Sequence, residues 1–377
     1  MNDALYIGTM SGTSADGLDI VIAQINNANQ VLLRHSYFHA YPKKLQIQIR
    51  ELQSHPNSEL LNQYKTNLDQ LNTELAVFFS KHIQHCLDQA SIDSSKIQAI
   101  GNHGQTILHQ PNAKNPYSLQ VCDAQQLANH CAIPVIAHFR QADLEQKGQG
   151  APLMPAFHLA LFNEKKPCAV VNIGGISNTT LLLENEILGF DNGPGNTLMD
   201  AWIDKHHNER FDENGLWARS GKTHQALLDE LLNDHYFNQA SPKSTGQDKF
   251  NLNWLKMLLS SYPSILKKDI QATLCDLTAK CIINDINKYA SNTKNIYVCG
   301  GGVKNAFLME RIKHFAGVNR SVTSTNTLKV DPDWVEALGF AWLAYCHQHQ
   351  ITGNIPSVTG AKKAVILGQR FDPEPPH

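Results

Sequence analysis

An excess of charge of either sign is the first thing this chain lacks. Its 32 Lys and Arg stand against 34 Asp and Glu, for a formal net charge of −2. A dedicated nucleic-acid binder is excluded, because the basic footprint such proteins carry is missing. Long apolar runs are missing too: no stretch approaches the ~20 residues of a membrane-spanning helix. The opening residues, MNDALYIGTM, have neither a basic segment nor a long apolar core, so no signal peptide is read. No CxxC pair occurs among the eight cysteines, Cys86, Cys122, Cys131, Cys168, Cys275, Cys281, Cys299 and Cys346. Scattered thiols of this kind suggest neither a zinc site nor a disulfide framework and place the chain in a reducing cytoplasm. No Gly-Lys-Ser/Thr opens a helix, so a Walker A loop is absent. What is present is 377 residues with 42% apolar and 18% charged content. That is a soluble globular protein longer than the roughly 250–300 residues one core serves, so two domains are expected.

Read in order, Leu5–Ile7, Leu18–Ile25 and Val31–Phe38 are strands. The first two are joined by a turn rich in Gly, Ser and Thr, from Gly8 through Gly12, Thr13, Ser14, Ala15, Asp16 and Gly17. Such a turn either is an ordinary polar hairpin or presents backbone N–H groups and hydroxyls to phosphate. Residues from about 42 to 91 are helical by period, with Leu60, Leu61, Tyr64, Leu68, Leu71, Leu75 and Phe78 as the core stripe. The strand Ile97–Ile100 delivers Gly101-Asn102-His103-Gly104-Gln105-Thr106, where His103 is either a structural histidine or a site contact. Asp123 opens a helix with Gln126 as its capping partner. The strand Ile133–Ala137 leads into a long polar loop, His138–Pro152, whose Arg140 either is solvated or holds a carboxylate or sugar oxygen with its planar fork.

The opening pattern then returns. Ala169–Ile173 is a strand, Gly174-Gly175 a turn, Ser177–Leu183 a strand, and Glu186–Phe190 a third strand that ends at Asp191. A Gly-Pro-Gly turn follows through Gly195, and Asn196 is placed to cap the next helix. Asp191 either closes an Asx-turn or is a base aimed at a ligand beside a helix N-terminus. Helices are expected near 195–206, 222–234 and 269–290, with Ser241–Asn251 an irregular polar loop between them. Ile296–Cys299 is a strand that meets Gly300, Gly301 and Gly302, where a flat ligand can lie on bare backbone. Asp331 and Pro332 mark a helix start. Glu336 beyond them is either a solvated first-turn charge or a second carboxylate of the site. The tail from Arg370 to His377 is polar and proline-bearing and reads as disordered. Three glycine turns that each follow a strand, with a carboxylate at the end of another, supply what phosphoryl transfer needs apart from an identifiable metal ligand.

Six segments carry a more specific resemblance: GTMSGTSADGLD (Gly8–Asp19), GNHGQT (Gly101–Thr106), GQGAPLMPAFH (Gly148–His158), NIGGISN (Asn172–Asn178), GFDNGPGNTLMDAW (Gly189–Trp202) and VCGGGVKN (Val298–Asn305). In this order, and over nearly the whole chain, they resemble the anhydro-N-acetylmuramic acid kinases; the first and fifth are the most specific. The resemblance implies an α/β protein with the two-lobed actin, Hsp70 and sugar-kinase (ribonuclease H-like) fold. Each lobe would be a mixed sheet flanked by helices, with the active site in the interlobe cleft. Residues 1–135 with 350–377 would form one lobe and 136–349 the other. It implies ATP with Mg²⁺, 1,6-anhydro-N-acetylmuramate as the sugar, water as the third reactant, and a cytoplasmic role in cell-wall recycling; a homodimer is left open. Gly12, Thr13, Ser14, Ala15, Asp16, Gly17, Leu18 and Asp19 would form the ATP-phosphate loop, with Gly174, Gly175, Gly300 and Gly301 as further nucleotide contacts. Asp191 would be the base, and His103, Arg140, Gly195, Asn196 and Glu336 the sugar contacts. One departure stands out: the family's Phe-Arg-Arg-Arg-Asp is here Phe139-Arg140-Gln141-Ala142-Asp143. A kinase of another amino sugar, or a non-catalytic nucleotide or sugar sensor, remains the alternative.

Overall fold

The computed structural model describes residues 4–26, 30–54, 63–111, 113–114 and 116–375. Contacts divide the chain into two compact units, residues 1–161 with 336–377, and residues 162–335.

The first unit opens with β1 (Leu5–Ser11), β2 (Gly17–Ile25) and β3 (Val31–Ala40), then α1 (Lys43–Gln53) and α2 (Lys65–Ala90). Leu71, Leu75, Phe79, Ile83 and Cys86 line one side of α2 and are buried, as their three- and four-residue spacing dictates. Among the described residues the expected helical stretch 42–91 holds α1 and α2, and Leu60 and Leu61 of the predicted stripe lie outside the described residues. β4 (Ile97–Gln110), β5 (Tyr117–Val121), α3 (Ala124–Cys131), β6 (Val135–Ala137), α4 (Phe139–Glu145) and α5 (Met154–Phe162) follow. α3 begins as the sequence indicates: Asp123 Oδ1 accepts the Gln126 N–H at 2.9 Å, and Gln126 Nε2 donates back to Asp123 Oδ2 at 2.9 Å.

The second unit holds β7 (Cys168–Ile173), β8 (Ile176–Leu182), β9 (Ile187–Pro194), α6 (Thr197–His207), α7 (Gln225–Leu232), α8 (Lys267–Tyr289), β10 (Asn295–Cys299), α9 (Ala306–Ala316) and β11 (Ser321–Ser324). β7 is buried at every position, the mark of a central strand covered on both faces. α8 is buried along most of its length, from Ile270 to Ile286, and forms the spine of this unit's core. The chain then returns to the first unit through α10 (Val335–Gln348) and a short strand, β12 (Gln369–Phe371).

Both sheets use one plan. In the first the order is β12-β6-β4-β1-β2-β3, with β5 on β4; in the second it is β11-β10-β7-β8-β9. Each has an antiparallel three-strand meander, its first strand then pairing in parallel with a later one, β1 with β4 and β7 with β10. This repeated mixed sheet is the two-part α/β architecture expected from the echo of strand and glycine turn.

Four local expectations are corrected. Gly101–Thr106 does not stand at the end of a strand but lies inside β4, where Gly104 at φ +72° kinks it beside register shifts against β1 and β5. The loop expected at 138–152 contains α4, whose Asp143 is fully buried and holds the surrounding backbone. Asp331 caps only a turn, its Oδ1 accepting the Asp333 N–H at 3.0 Å, and the helix starts later, at Val335. The tail from Arg370 is not disordered at its start, because Gln369–Phe371 pairs antiparallel with β6.

The boundaries expected at 135/136 and 349/350 both fall inside the first unit as its contacts define it. Packing explains this. A Cβ on Gly8 or Gly101 would run into the α10 backbone at Ala337 or Phe340, and the Phe157 ring of α5 packs tilted against Trp342 of α10 at 5.8 Å, as Phe139 of α4 does against Phe340 at 5.5 Å. α4, α5 and α10 thus belong with the first sheet.

Candidate functional site

In the first unit the turn between β1 and β2 is shaped by what its carbonyls bind. Gly12 O accepts from Ala15 N (3.1 Å) and Gln105 Nε2 (3.0 Å), Thr13 O from Gln53 Nε2 (3.1 Å), and Asp16 O from Tyr41 N (3.0 Å). A trans peptide sets the next N–H antiparallel to its carbonyl, so the Thr13, Ser14 and Gly17 N–H groups face the other way. Thr13 and Ser14 are exposed, whereas Ala15 at φ +55° is buried and closes the turn. Ser11 anchors its base: Ser11 Oγ lies 2.8 Å from Gly17 O and 2.6 Å from Gln105 Oε1, and accepts Tyr41 OH at 3.0 Å. The amides and hydroxyls of exposed Thr13 and Ser14 are suited to phosphate oxygens.

The kink in β4 positions His103. Its Nδ1 is 2.9 Å from Gly104 O, and its Nε2 is 2.9 Å from Arg140 NH2. A guanidinium only donates, so Nε2 is the acceptor and the proton sits on Nδ1. Burial, then the Arg140 charge, pushes the imidazole down to about 3, so it stays neutral. Arg140 NH1 also donates to Gly150 O at 2.8 Å. Burial lowers its guanidinium to about 10, against the raising charges of Glu336 and Asp143, and it remains protonated. His103, Arg140 and Glu336 are therefore one cluster. Gln141, the first departure from the family's arginines, is exposed on α4 and donates to Glu145 Oε1 at 3.2 Å.

In the second unit the glycine turns interlock through backbone. Gly195 N and Thr197 N donate to Gly175 O (2.8 and 3.1 Å), and Asn196 N donates to Gly174 O (2.8 Å). Asn196 stands at the N-cap of α6 but does not cap with its side chain, which donates to Ile173 O at 3.3 Å instead. Thr197 Oγ1 donates to Gly175 O at 2.7 Å. Gly300, at φ +80°, faces Asn172 and Ile173 so closely that a Cβ there would collide with both, whereas a Cβ on Gly301 would meet nothing. Gly174, Gly175, Gly195, Asn196, Gly300 and Gly301 thus gather at the carboxyl ends of β7 and β10, where ligands of parallel sheets bind.

Asp191 lies in the same sheet. The strand does not stop before it, as the sequence suggests, but runs to Pro194. Registered pairs link Cys299 to Asn172, Asn172 to Asn178 and Asn178 to Asp191, one row across four strands. Asp191 does not close an Asx-turn: its Oδ2 accepts the Thr245 N–H from a remote segment at 3.0 Å. Among the described residues its Oδ1 has no protein donor. Burial pushes the carboxyl up to about 6, against the lowering pull of the Thr245 N–H and the Lys243 ammonium. A carboxylate poised there is a proton acceptor at neutral pH.

The sequence-predicted residues thus divide. Gly12–Asp19, His103, Arg140 and Glu336 belong to the first unit; Asp191, Gly174, Gly175, Gly195, Asn196, Gly300 and Gly301 belong to the second. Sequence reasoning missed Gln53 and Tyr41, which hold the first turn, and Tyr236, Lys243, Thr245 and Asp285 around Asp191. Asp285 was findable: a carboxylate within Cys281-Ile282-Ile283-Asn284-Asp285-Ile286 needs a buried partner. Among the described residues no three His, Cys, Asp or Glu gather as a metal cage, and no helix is long and apolar enough to cross a membrane.

Residues 4–373 match the sequence model of the family described as anhydro-N-acetylmuramic acid kinase. A Pasteurella multocida protein of that name is 43% identical over 375 residues, covering 98% of this chain and 97% of its own. Its Haemophilus influenzae namesake is 43% identical over 384 residues, covering 98% of each chain. Among solved structures, component A of the Acidaminococcus fermentans (R)-2-hydroxyglutaryl-CoA dehydratase aligns with 90% of this chain and 96% of its own, at a TM-score of 0.48 and 11% identity.

Proposed function

The chain belongs to the anhydro-N-acetylmuramic acid kinase family, and from that premise we propose that it converts ATP, water and 1,6-anhydro-N-acetylmuramate into ADP and N-acetylmuramate 6-phosphate, with Asp191 as the base. The observation that carries the reading is the Asp191 carboxylate, fixed at Oδ2, without a protein donor at Oδ1, and ionised above a pH of about 6.

Asp191 takes a proton from water. The hydroxide oxygen bonds to the anomeric carbon, and the bond from that carbon to the 6-oxygen breaks. The freed 6-oxygen attacks the γ-phosphorus, and the bond to the β-phosphate oxygen breaks, releasing ADP. A positioned base contributes typically ~10²–10⁴-fold, and the rest falls to orientation and electrostatics. Within the first unit the Gly12–Asp19 segment offers amides and hydroxyls to phosphate, and Arg140, braced by neutral His103 and with Glu336 acting on it, offers its charge to the sugar's lactyl carboxylate. Within the second unit Gly174-Gly175 and Gly300-Gly301 offer bare backbone to the nucleotide, and Gly195 and Asn196 are its sugar contacts.

Mg²⁺ is ordinarily held by phosphates, water and one or two carboxylates, so it would come with the nucleotide. Asp16 and Asp19 are the carboxylates of the phosphate turn that would hold it. When bound it neutralises phosphate charge. The eight free thiols, seven of them buried, support placing this reaction in the cytoplasm.

The test is ADP release with Mg²⁺-ATP and the anhydro sugar, run beside N-acetylmuramate and N-acetylglucosamine in ¹⁸O-water. Turnover with the anhydro sugar alone, with label at the anomeric oxygen, is expected. Turnover with a reducing sugar and no label would discard ring opening, and no turnover with any sugar would favour a sensor.

A further inference from the structure

Asp191 is held by more than its sheet. The register shift between Ser177 and Asn178 lies opposite it, and its peptide groups are claimed by a distant segment. Its N–H donates to Lys243 O (3.0 Å), its carbonyl accepts Tyr236 OH (2.7 Å), and its carboxylate accepts Thr245 N (3.0 Å). Three points on one residue are thus fixed by ten residues, a short helix around Tyr236 and the loop that follows it.

That segment is tied in turn to α8. Ser241 N donates to Tyr289 OH (2.8 Å), and Lys288 Nζ donates to Gln239 O (3.2 Å). At the centre, Lys243 Nζ meets Asp285 Oδ1 at 3.0 Å, with the two side chains 1% and 5% exposed. Asp285 Oδ2 accepts Asn192 Nδ2 at 3.0 Å, and Asn192 Oδ1 accepts Thr179 Oγ1 at 2.7 Å. Asn192 is Asp191's neighbour in β9 and is the extra residue at the register shift. The pair therefore grips the base's strand through Asn192, while Lys243's own carbonyl grips it at Asp191. For stability alone an apolar pair would serve as well, since taking two charges out of water offsets their attraction.

We propose that Tyr236–Thr245 is a bracket for the base and that the Lys243–Asp285 pair is its positioning element, setting both where Asp191 sits and the field it feels. The proposal rests on Asp191 being the base. The charged and titratable groups facing Asp191 are Tyr236 and Lys243 from the segment, with Asp285 and Cys281 of α8 behind them. Lys249, paired with Asp234, also lies over the Tyr236 ring, at 5.5 Å.

Lys243 lowers the Asp191 carboxyl and Asp285 neutralises Lys243, so removing one member or the other should move the base in opposite directions, and that separates a field from mere damage. Removing the ammonium in Lys243→Met moves the acid limb of the kcat/KM profile to higher pH, by about half to one unit, a neighbouring charge at contact being worth one to three. Asp285→Asn removes a negative charge and leaves the ammonium less neutralised, so the limb moves to lower pH. The KM for ATP stays put in both. Limbs that superimpose on the wild type, or that shift in the same direction, overturn the proposal while leaving the base intact. Should either variant fail to fold, Tyr236→Phe removes only the bond to the Asp191 carbonyl. It lowers kcat several-fold at unchanged KM and unchanged limb, and an unaltered kcat overturns the bracket. Full turnover in Asp191→Asn would instead remove the base assignment itself.

Discussion

The turn after β1 and the turn after β7 occupy equivalent places in two sheets of the same order, yet they are held differently. In the first unit the carbonyls of Gly12 and Thr13 are taken by the side chains of Gln105 and Gln53 from remote elements, with Ala15 N as the one backbone donor to Gly12 O. In the second unit the carbonyls of Gly174 and Gly175 are taken by the backbone N–H groups of Asn196, Gly195 and Thr197, with Thr197 Oγ1 adding a bond to Gly175 O. One turn depends on particular amides reaching in from β4 and α1; the other is locked by the start of one helix, α6. A shared topology therefore fixes where a ligand loop can be, while the way each loop is tied decides which substitutions it tolerates.

The largest effect is expected where the second unit has no counterpart in the first. Asp191→Asn should lose about 10²–10⁴-fold in kcat while keeping ATP affinity, read by steady-state kinetics and nucleotide titration. The same variant should be the more stable protein. The folded-state pKa of about 6 lies above the unfolded carboxylate value, so the group's favourable contribution is full at low pH and is lost as pH rises through 6. At pH 7.5 the ionised side chain costs about 1–2 kcal/mol once its partial exposure is allowed for. A higher melting temperature for the variant at pH 7.5, converging with the wild type near pH 4, checks the sign.

Next come the glycines. Gly8→Ala should cost about 3 kcal/mol or prevent folding, because the new methyl meets the Ala337 carbonyl of α10. Gly301→Ala meets nothing, so melting should be unchanged and only the nucleotide KM should rise. Denaturant titration of the pair separates a packing glycine from a ligand glycine. Smaller again, Gln105→Ala should raise the ATP KM up to about ten-fold, a hydrogen bond being worth ~0.5–1.5 kcal/mol, and an unchanged KM would mean the first turn is held without it. Smallest of all, Gln141→Arg restores the family's usual residue at an exposed position of α4 and should alter KM for the sugar by less than two-fold, within the ~0.5 kcal/mol usual for surface changes.

Much of this was legible in the chain. The returning pattern of strand, glycine turn and strand is the duplicated sheet, and Asp123 caps α3 with Gln126 as its partner, although Gln126 bonds the Asp123 carboxylate while the Asp123 N–H goes to Asn72 O. Of the glycines read as ligand turns, Gly12, Gly174, Gly175, Gly300 and Gly301 stand at strand ends, whereas Gly8 lies inside β1 and packs against α10. What was hidden depends on partners far off in sequence. HFRQADLEQK reads as loop because Asp143 looks solvated, but it is buried, accepting Asn354 Nδ2, Thr359 Oγ1 and the Gly150 N–H. β12 is three residues long, too short for alternation to show. Asp191 reads as a turn residue because nothing local announces that Thr245 and Lys243 will claim it.

The way the first unit borrows from both ends of the chain bears on how the protein is made. Residues 4–161 leave the ribosome with the grooves at Gly8 and Gly101 uncovered, and α10, which fills them, is encoded beyond the whole of the second unit. At 5–20 residues per second that interval is roughly 10–35 s. The second unit, contiguous from 162 to 335, is complete before the first can close. The part that begins synthesis is therefore the last to mature, and through that interval it is an incomplete sheet with apolar strands for a chaperone to guard.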